Sequence, residues 1–566
     1  MGLKTSFRRI SLGAPLRVGG DFNRGPHETW CVVALTIGVI ACGLLLTPAT
    51  AQNPPYDLVL RNTRIIDGSG SPAYRGDVAI SDDTIVNIAP VIAGDGRRVI
   101  DLGGQVLAPG FIDVHTHVRM RRGIFEHPTA DNYVRQGVTT VLEGPDGSSP
   151  VPLAPFLRQL AALPKSLNIG TFIGQGSVRA AVIGRVNRPA SAQEIDKMSM
   201  IVEQGMRDGA FGLSSGLEYV PGTYTSLEEI VELAKVAGRL GGHYQSHIRG
   251  EGGRVVQAVQ EAIAVGERGG LPTQITHHKV VGQANWRKSL ETLRLIDQAR
   301  ARGVDVTIDQ YPYTSGHLSA QLPAWALEGS LDDVRNRLKN PDLRIKIKAE
   351  LARRLRGGGA GGDLTKIVIL HCAWDPSLDG KSLADVARLR GYRVSPEDGA
   401  EVTLWMFEQG DCDRIQRDVM SEADVERILK HPATMIASDG EIPSGLGDPN
   451  ASPTHPRSYG AFARVLGVYV RERKVIKLED AVRKMSGLPA QRLGLRDRGL
   501  IRPGMKADLV VFDPAHVRDT ATYDSPHQYA EGIPLVIING QIVFENNAMT
   551  TARPGQVLYG PAKQRS

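Results

Sequence analysis

The sequence predicts an α/β protein built on a (β/α)8 barrel, with a small β-sandwich assembled from both ends of the chain. Three observations predict it. Eight strand-like runs alternate with helix-period segments through the middle of the 566 residues, the pattern of repeated βα units. Alternating apolar and polar residues between turn signals follow Pro54-Pro55, and very similar writing returns near the other end. The length exceeds one ordinary domain, yet a large barrel with a small partner absorbs most of it.

The first segment differs in kind. Arg8, Arg9, Arg17 and Arg24 precede the apolar run WCVVALTIGVIACGLLL, which is followed by Ala49-Thr50-Ala51. A basic start, an apolar stretch and an A-x-A site make residues 1–51 an expected export signal, giving a periplasmic or secreted protein. A retained membrane anchor is the alternative, since the run is near the lower length limit for a spanning helix. Val39-Ile40-Ala41-Cys42 also resembles a lipoprotein box, although the GLLL after Cys42 is more apolar than such mature ends usually are.

Removing residues 1–51 takes away five bases and two acids, so the formal charge falls from +6 to +3. That near balance argues against nucleic acid as a partner, which needs clustered Lys and Arg. No membrane partner is expected after signal cleavage. The mature part keeps only Cys372 and Cys412. Two cysteines give neither a disulfide framework nor a metal-type spacing, and both are expected to be structural; an oxidising compartment would allow one bond between them.

In order along the chain, YDLVLRNTRIIDGSG, GDVAISDDTIVNIAP and RRVIDLGGQVLAPG read as hairpin strands, and GMKADLVVFDP with LVIINGQIVFE matches them at the far end. Asn539-Gly540 is a hairpin turn signal. Residues 52–108 with 498–566 are therefore expected to form one composite sheet domain, and residues 109–497 the barrel. Its strands are expected at GFIDVHTHV, TTVLEG, NIGTFIGQG, AFGLSSGL, GGHYQSHIR, PTQITHHKV, DVTIDQYPY and ATMIASDG. An insert at about residues 316–430, with amphipathic helices near LDDVRNRL and EADVERILKH and a flexible GGGAGG, separates the last two strands. Inserts after a barrel strand sit at the face where active sites form, so this one is a candidate lid.

In FIDVHTHV, His115 and His117 are two apart on a strand and share a face. Alone such a pair is weak evidence for a metal. Yet His247, His277 or His278, Asp439 and the acids of LEGPDG all fall at the C-terminal ends of predicted strands, which converge on one pocket in a barrel. Imidazole nitrogens with carboxylate oxygens suit Zn, and also Mn, Fe or Co.

Here the sequence resembles the amidohydrolase superfamily: GFIDVHTH on strand one, His on strands five and six, Asp on strand eight and the closing GLIRPGMKADLVVFDP are its marks. GLSSGLEYVPG, YQSHIRGEG, QITHHKVVG, DQYPYTSG and IASDG followed by HPRSYG are similar to the N-acyl-D-amino-acid deacylase (D-aminoacylase) branch. The resemblance implies a zinc-dependent hydrolase with one or two ions, acting on a small-molecule N-acyl amino acid. It implies His115, His117, His247 and His277 as metal ligands, Asp439 as general base, and Tyr219, Lys279, Tyr311 and Arg457 as the substrate-holding residues. The chemistry agrees: an activated water, a carboxylate to move its proton, and cations for a substrate carboxylate. Arg249 and Arg179 also lie near strand ends and are left outside the expected site.

The pattern departs from the family in three places. No lysine occurs on strand four, where many amidohydrolases carry a metal-bridging carboxylated one. Where the branch has cysteine after strand two, this chain offers Glu143 and Asp146 in GVTTVLEGPDG. Glu143 is the expected bridge because it still belongs to the strand, with Asp146 as the alternative in a turn where Asp commonly bonds its own backbone. Gln175 stands where the branch often shows histidine.

The expected reaction is removal of the acyl group from an N-acyl-D-amino acid, with chirality implied by the resemblance alone. Two alternatives stay open: a cyclic amide or dipeptide substrate, as in dihydroorotases, hydantoinases and isoaspartyl dipeptidases, and a noncatalytic envelope protein that binds metal or amino-acid derivatives.

Overall fold

Short runs of buried, largely aliphatic or small residues form the barrel. They are β1 (Phe111–Asp113, resumed at Thr116–His117), β2 (Val138–Glu143), β3 (Asn168–Thr171, resumed at Ile173–Gly174) and β4 (Gly212–Gly216). They continue with β5 (His243–His247), β6 (Thr273–Ile275), β7 (Val306–Gln310) and β8 (Thr434–Ile436, resumed at Gly440–Glu441). Each pairs in parallel with the next. The ring closes where Gly440 and Glu441 pair with Thr116 and His117, and where the Asp439 amide donates to the His115 carbonyl at 3.0 Å. The structure is a computed structural model in which residues 55–318, 322–443, 445–448 and 451–564 are described. The export signal expected over residues 1–51 lies outside the described residues.

Parallel neighbours require a crossover connection. Helices Ala192–Asp208, Leu227–Arg239, Val255–Gly269 and Ser289–Ala301 supply four of them. The first starts where it does because Ser191 Oγ accepts the Glu194 amide while Glu194 accepts the Ser191 amide, a reciprocal cap worth about 1 kcal/mol. Helix Glu422–Lys430, expected inside the insert, belongs to the barrel wall instead: its Ile428 packs with Ile296, Val306 and Ile308.

Strands from both ends of the chain form one nine-stranded sheet, joined where Val106–Pro109 runs antiparallel to Leu509–Phe512. Alternation assigns the faces. Leu107, Leu509, Val511, Leu535 and Ile537 enter the sheet's own core, whereas Val106, Val510, Phe512, Val536 and Ile538 pack on the barrel side with Phe111 and Phe462. The sheet curls until the Ile85 amide reaches the Met505 carbonyl at 2.8 Å, so the expected sandwich is one wrapped sheet. Beyond it, residues 555–560 run along the barrel, with Gly555 bonded to Lys165, Leu558 to Ile169 and Gly560 to Gly209.

The segment between β7 and β8 builds a separate small unit. Strands Gly316–Leu318, Asp413–Gln416 and Ile367–His371 form an antiparallel sheet, and Cys372 is bonded to Cys412. Helices Leu331–Lys339, Pro341–Gly357 and Pro396–Gln409 pack on one another around Ile347, Leu351 and Leu404, and helix Leu383–Leu389 packs on the sheet through Leu383 and Val386 against Ile367 and Ile369. Among the described residues no helix is long and apolar enough to cross a membrane.

Asp508 ties the terminal sheet to the barrel floor. Its carboxylate accepts from Arg498 Nη1, from Asn168 Nδ2 at 3.1 Å and from the Asn539 amide at 2.7 Å, all buried. Removing the carboxylate strands the Arg498 guanidinium in a dry site. Asp508→Ala is expected to lower unfolding free energy in urea titrations by roughly 3–5 kcal/mol. Arg335→Ala, which breaks an exposed pair with Asp332, should change it by less than about 1 kcal/mol.

Candidate active site

The C-terminal ends of the strands converge on a cavity of about 540 Å3. Asp146 stands at its floor. Its Oδ1 lies 3.6 Å from His115 Nε2, 3.6 Å from His277 Nε2 and 4.0 Å from His247 Nδ1, and its Oδ2 lies 3.6 Å from His117 Nε2. Asp439 closes the group on the other side, with Oδ1 at 3.0 Å from His117 Nε2 and 3.4 Å from His115 Nε2. His247 Nδ1 and His277 Nε2 are 2.9 Å apart.

The backbone aims these groups. Asp146, His277 and Asp439 hold φ of 53°, 31° and 52°, a left-handed conformation that costs non-glycine residues of order 1–3 kcal/mol and clusters at functional sites. The turn carrying Asp146 is pinned by Ser214 of β4, whose Oγ donates to the Gly144 carbonyl at 2.6 Å and accepts the Gly147 amide at 3.2 Å. Gly216 permits the approach, since a Cβ there would lie 2.2 Å from the Asp146 carbonyl oxygen.

The donor set fits a metal. Both ring nitrogens of fully buried His115 and Oδ1 of Asp146 have no hydrogen-bond partner among the described residues. Separations of 3.6–4.0 Å are too long for hydrogen bonds. They match ligand atoms around an ion with metal–ligand bonds of about 2.0–2.2 Å. Two groups that share Asp146 can each hold a cation, His115, His117, Asp146 and Asp439, and Asp146, His247 and His277; Glu218, His247 and Glu251 form a third. Burial pushes both aspartates up; His115 and His277 hold Asp146, and Arg457 and His115 hold Asp439, well below the usual carboxylate range.

Glu143, the expected bridge, is elsewhere. Its carboxylate accepts from Arg119 Nε and from the Arg119 amide, each at 3.1 Å, and it joins none of these groups. Strand membership does not decide the matter: the left-handed turn beyond the strand swings Asp146, not Glu143, among the histidines. His278, the other candidate in HHK, turns away and bonds Thr292 Oγ1 at 2.8 Å.

The remaining expected residues line the same cavity. Tyr219 Oη is 3.2 Å from His247 Nδ1. Arg457 Nη1 donates to Asp439 Oδ2 at 2.6 Å. The Tyr311 ring lies between Arg457, 4.9 Å from its centroid, and Lys279, 5.4 Å from it, and its buried hydroxyl has no partner among the described residues. Lys279 Nζ donates to Glu251 Oε1 at 2.6 Å and lies 2.8 Å from His277 Nδ1.

Sequence reasoning missed three residues. Glu251 lies 3.0 Å from His277 Nδ1, Glu218 lies 3.2 Å from His247 Nε2, and Arg119 is held on Glu143. Glu251 was readable in HIRGEG as an acid just past a histidine-bearing strand end; Glu218 and Arg119 carried no comparable signal. Gln175 bonds Thr225, Arg179 pairs with buried Glu229, and Arg249 forks onto Glu261, so these three serve packing.

A paired-histidine metal site at the mouth of a parallel (β/α)8 barrel defines the class of metal-dependent barrel hydrolases. Amidohydrolase family models match residues 106–323 and 382–544. The D-aminoacylase of Alcaligenes xylosoxydans xylosoxydans is 35% identical over 544 residues, 90% of this chain and 98% of the relative. Among solved structures, N-acyl-D-glutamate deacylase from Bordetella bronchiseptica, complexed with zinc and a phosphonate mimic of the tetrahedral intermediate, is 32% identical with a TM-score of 0.76, covering 89% of this chain and 99% of its own. A D-aminoacylase described for its binuclear metal centre is 34% identical with a TM-score of 0.75, covering 89% and 100%. The chain belongs to the amidohydrolase family, and its likeness within that family is to the D-aminoacylases.

Groups that orient a ligating imidazole through its far nitrogen typically contribute 10–100-fold in metal affinity. Glu251→Gln is therefore expected to weaken divalent metal binding by about that factor, read by competition against a chromophoric chelator.

Proposed function

We propose that the protein is a metal-dependent deacylase of N-acyl-D-amino acids, giving a carboxylate and the free D-amino acid. The observation that carries this reading is Asp146 between two histidine pairs with Asp439 beside them. Thirty-five per cent identity to a D-aminoacylase over nearly the whole chain supports the substrate class.

In this reading His115, His117, His247, His277 and Asp146 are the metal ligands, with Asp146 in the role first expected of Glu143. Zinc suits the nitrogen and oxygen donors, as would Mn, Fe or Co, and zinc in the N-acyl-D-glutamate deacylase supports it. Asp146 Oδ1 lies near His115 as well as His277 while Oδ2 faces His117, so the carboxylate reaches both histidine pairs, which supports room for one or two ions. When bound, such an ion lowers the pKa of a water and polarises a carbonyl.

The chain's own residues do the rest. Asp439 takes the proton of the attacking water as the oxygen–carbon bond forms, and returns it to the nitrogen as the carbon–nitrogen bond breaks. Arg457 fixes Asp439 through Oδ2, leaving Oδ1 on the histidine side. The Tyr311 hydroxyl, without a partner among the described residues, and the Arg457 guanidinium suit the substrate's α-carboxylate. Lys279, committed to Glu251, adds positive charge behind them. Tyr219 sits where it can donate to the carbonyl oxygen.

Residues 1–51 act as an export signal in this reading, and the Cys372–Cys412 bond supports an oxidising destination. The partner is a small anionic substrate rather than nucleic acid or membrane.

Metal-loaded mature protein is expected to release amine from N-acetyl-D-amino acids, to lose that activity on chelation, and to act far more slowly on the L forms; absence of chelator-sensitive release from any of them refutes the reading. Asp439→Asn should retain metal yet lose roughly 10²–10⁴-fold in kcat. Metal analysis separates the two acids: Asp146→Ala should lose at least one equivalent relative to wild type, whereas Glu143→Gln should lose none.

A further inference from the structure

Beside the catalytic cavity lies a second one of about 770 Å3, between the barrel mouth and the segment that follows β7. The two share Arg185, Tyr219, Val220, His247, Glu251, Lys279 and His317 as a common wall. Their remaining linings differ in a way that matters to an amide. Asp439, Arg457 and Tyr311 line the first cavity and not the second. The proton donor to the departing amine and the cation beside it thus mark the first cavity as the amino-acid side. A trans amide sends its two substituents in opposite directions from the carbonyl, so the acyl residue points away from Asp439, past His247 and Tyr219.

That direction opens onto an apolar strip within a lining that is otherwise rich in charge. Leu322 and Leu327 from the start of the insert, Leu351 and Leu355 from helix Pro341–Gly357, and Val281 and Val419 form the strip; Arg185, Arg254 and Arg353 also line the cavity, as do Arg249, Arg354 and Arg414, which pair with Glu261, Glu350 and Asp411. An acetyl group needs almost none of this space, whereas cavities of about 300–1,000 Å3 bury drug-sized ligands.

We propose that the second cavity receives the acyl group, and that the preferred substrates carry aliphatic acyl chains of roughly six to ten carbons rather than acetyl. This rests on the deacylase reading above. Each buried methylene contributes about 0.8 kcal/mol, or roughly fourfold in binding, so chain length should be read strongly.

The test uses the full mature chain, metal-loaded, with N-acetyl, N-hexanoyl and N-decanoyl forms of one D-amino acid. Wild type should show kcat/KM rising by at least tenfold from acetyl to hexanoyl. Two cavity-filling variants lie outside the catalytic machinery: Gly253→Phe, at a position where an added Cβ meets nothing within 4 Å, and Leu327→Trp. They sit on separate segments, so a folding failure in one, seen in its melting curve, leaves the other. Each should cut decanoyl turnover at least tenfold and leave acetyl turnover within twofold. If acetyl is the best substrate and rates fall with length, or if both folded variants process decanoyl like wild type, the acyl proposal is wrong while deacylation stands. If no N-acyl-D-amino acid of any length is hydrolysed, the deacylase reading falls and takes this proposal with it.

Discussion

Two carboxylates, Asp146 and Asp439, are held nearly out of water within one ring of imidazoles, and the barrel mouth is arranged around that constraint. Carboxylates in such a place are stable only when nearby charge and donors offset the lost hydration. Arg457 meets Oδ2 of Asp439, and the four histidines present ring nitrogens to the remaining oxygens without closing proper hydrogen bonds on Asp146. The mouth is thus electrostatically unfinished in a way that a divalent cation completes.

Positioning comes from the closure of the barrel. The Asp439 amide reaches the His115 carbonyl, and the buried Asp113 carboxylate accepts both the Ser438 and His115 amides, so the last strand is locked to the first at the level where His115, His117 and Asp439 project. On the other side Ser214 pins the Gly144–Gly147 turn and Gly216 makes room for it. A third layer, Glu251 with Lys279 and Glu218, touches the far nitrogens of His277 and His247. Strained backbone at three site residues persists because these contacts over-determine it.

Why the barrel was legible in the sequence, and the acid that stands among the histidines was not, follows from what each depends on. Alternation and turn residues report which runs are strands, and a histidine pair spaced by two reports a shared face, so His115, His117, His247 and Asp439 fell in register with strand ends. Asp146 depends on the sign of φ at Gly144 and Asp146, 81° and 53°, which no hydrophobic period records. Strand alternation stops carrying information at the last paired residue, and Glu143 was preferred because it was still inside that limit. Glu251 escaped for a related reason: its partner Lys279 lies 28 residues away on the next strand's loop, a contact that only the folded ring creates. Helix Glu422–Lys430 was assigned to the insert because amphipathicity says that a helix packs, not on which surface.

The charge of the mouth also bears on how it treats its reactants. Taken with neutral, ligating imidazoles, the lining carboxylates Glu143, Asp146, Glu251, Asp439 and Glu441 oppose Arg119, Arg185, Lys279 and Arg457, which leaves one negative charge at the mouth. That mouth repels an N-acyl amino acid, itself an anion. One divalent cation reverses the sign, and one substrate carboxylate then neutralises the site, so metal and substrate favour each other's presence. A second cation would leave the site positive after the substrate has entered and would hold the carboxylate product more tightly. Attraction for substrate and release of product therefore pull in opposite directions on the number of ions, and Asp146, the one group facing both histidine pairs, is where that balance is set.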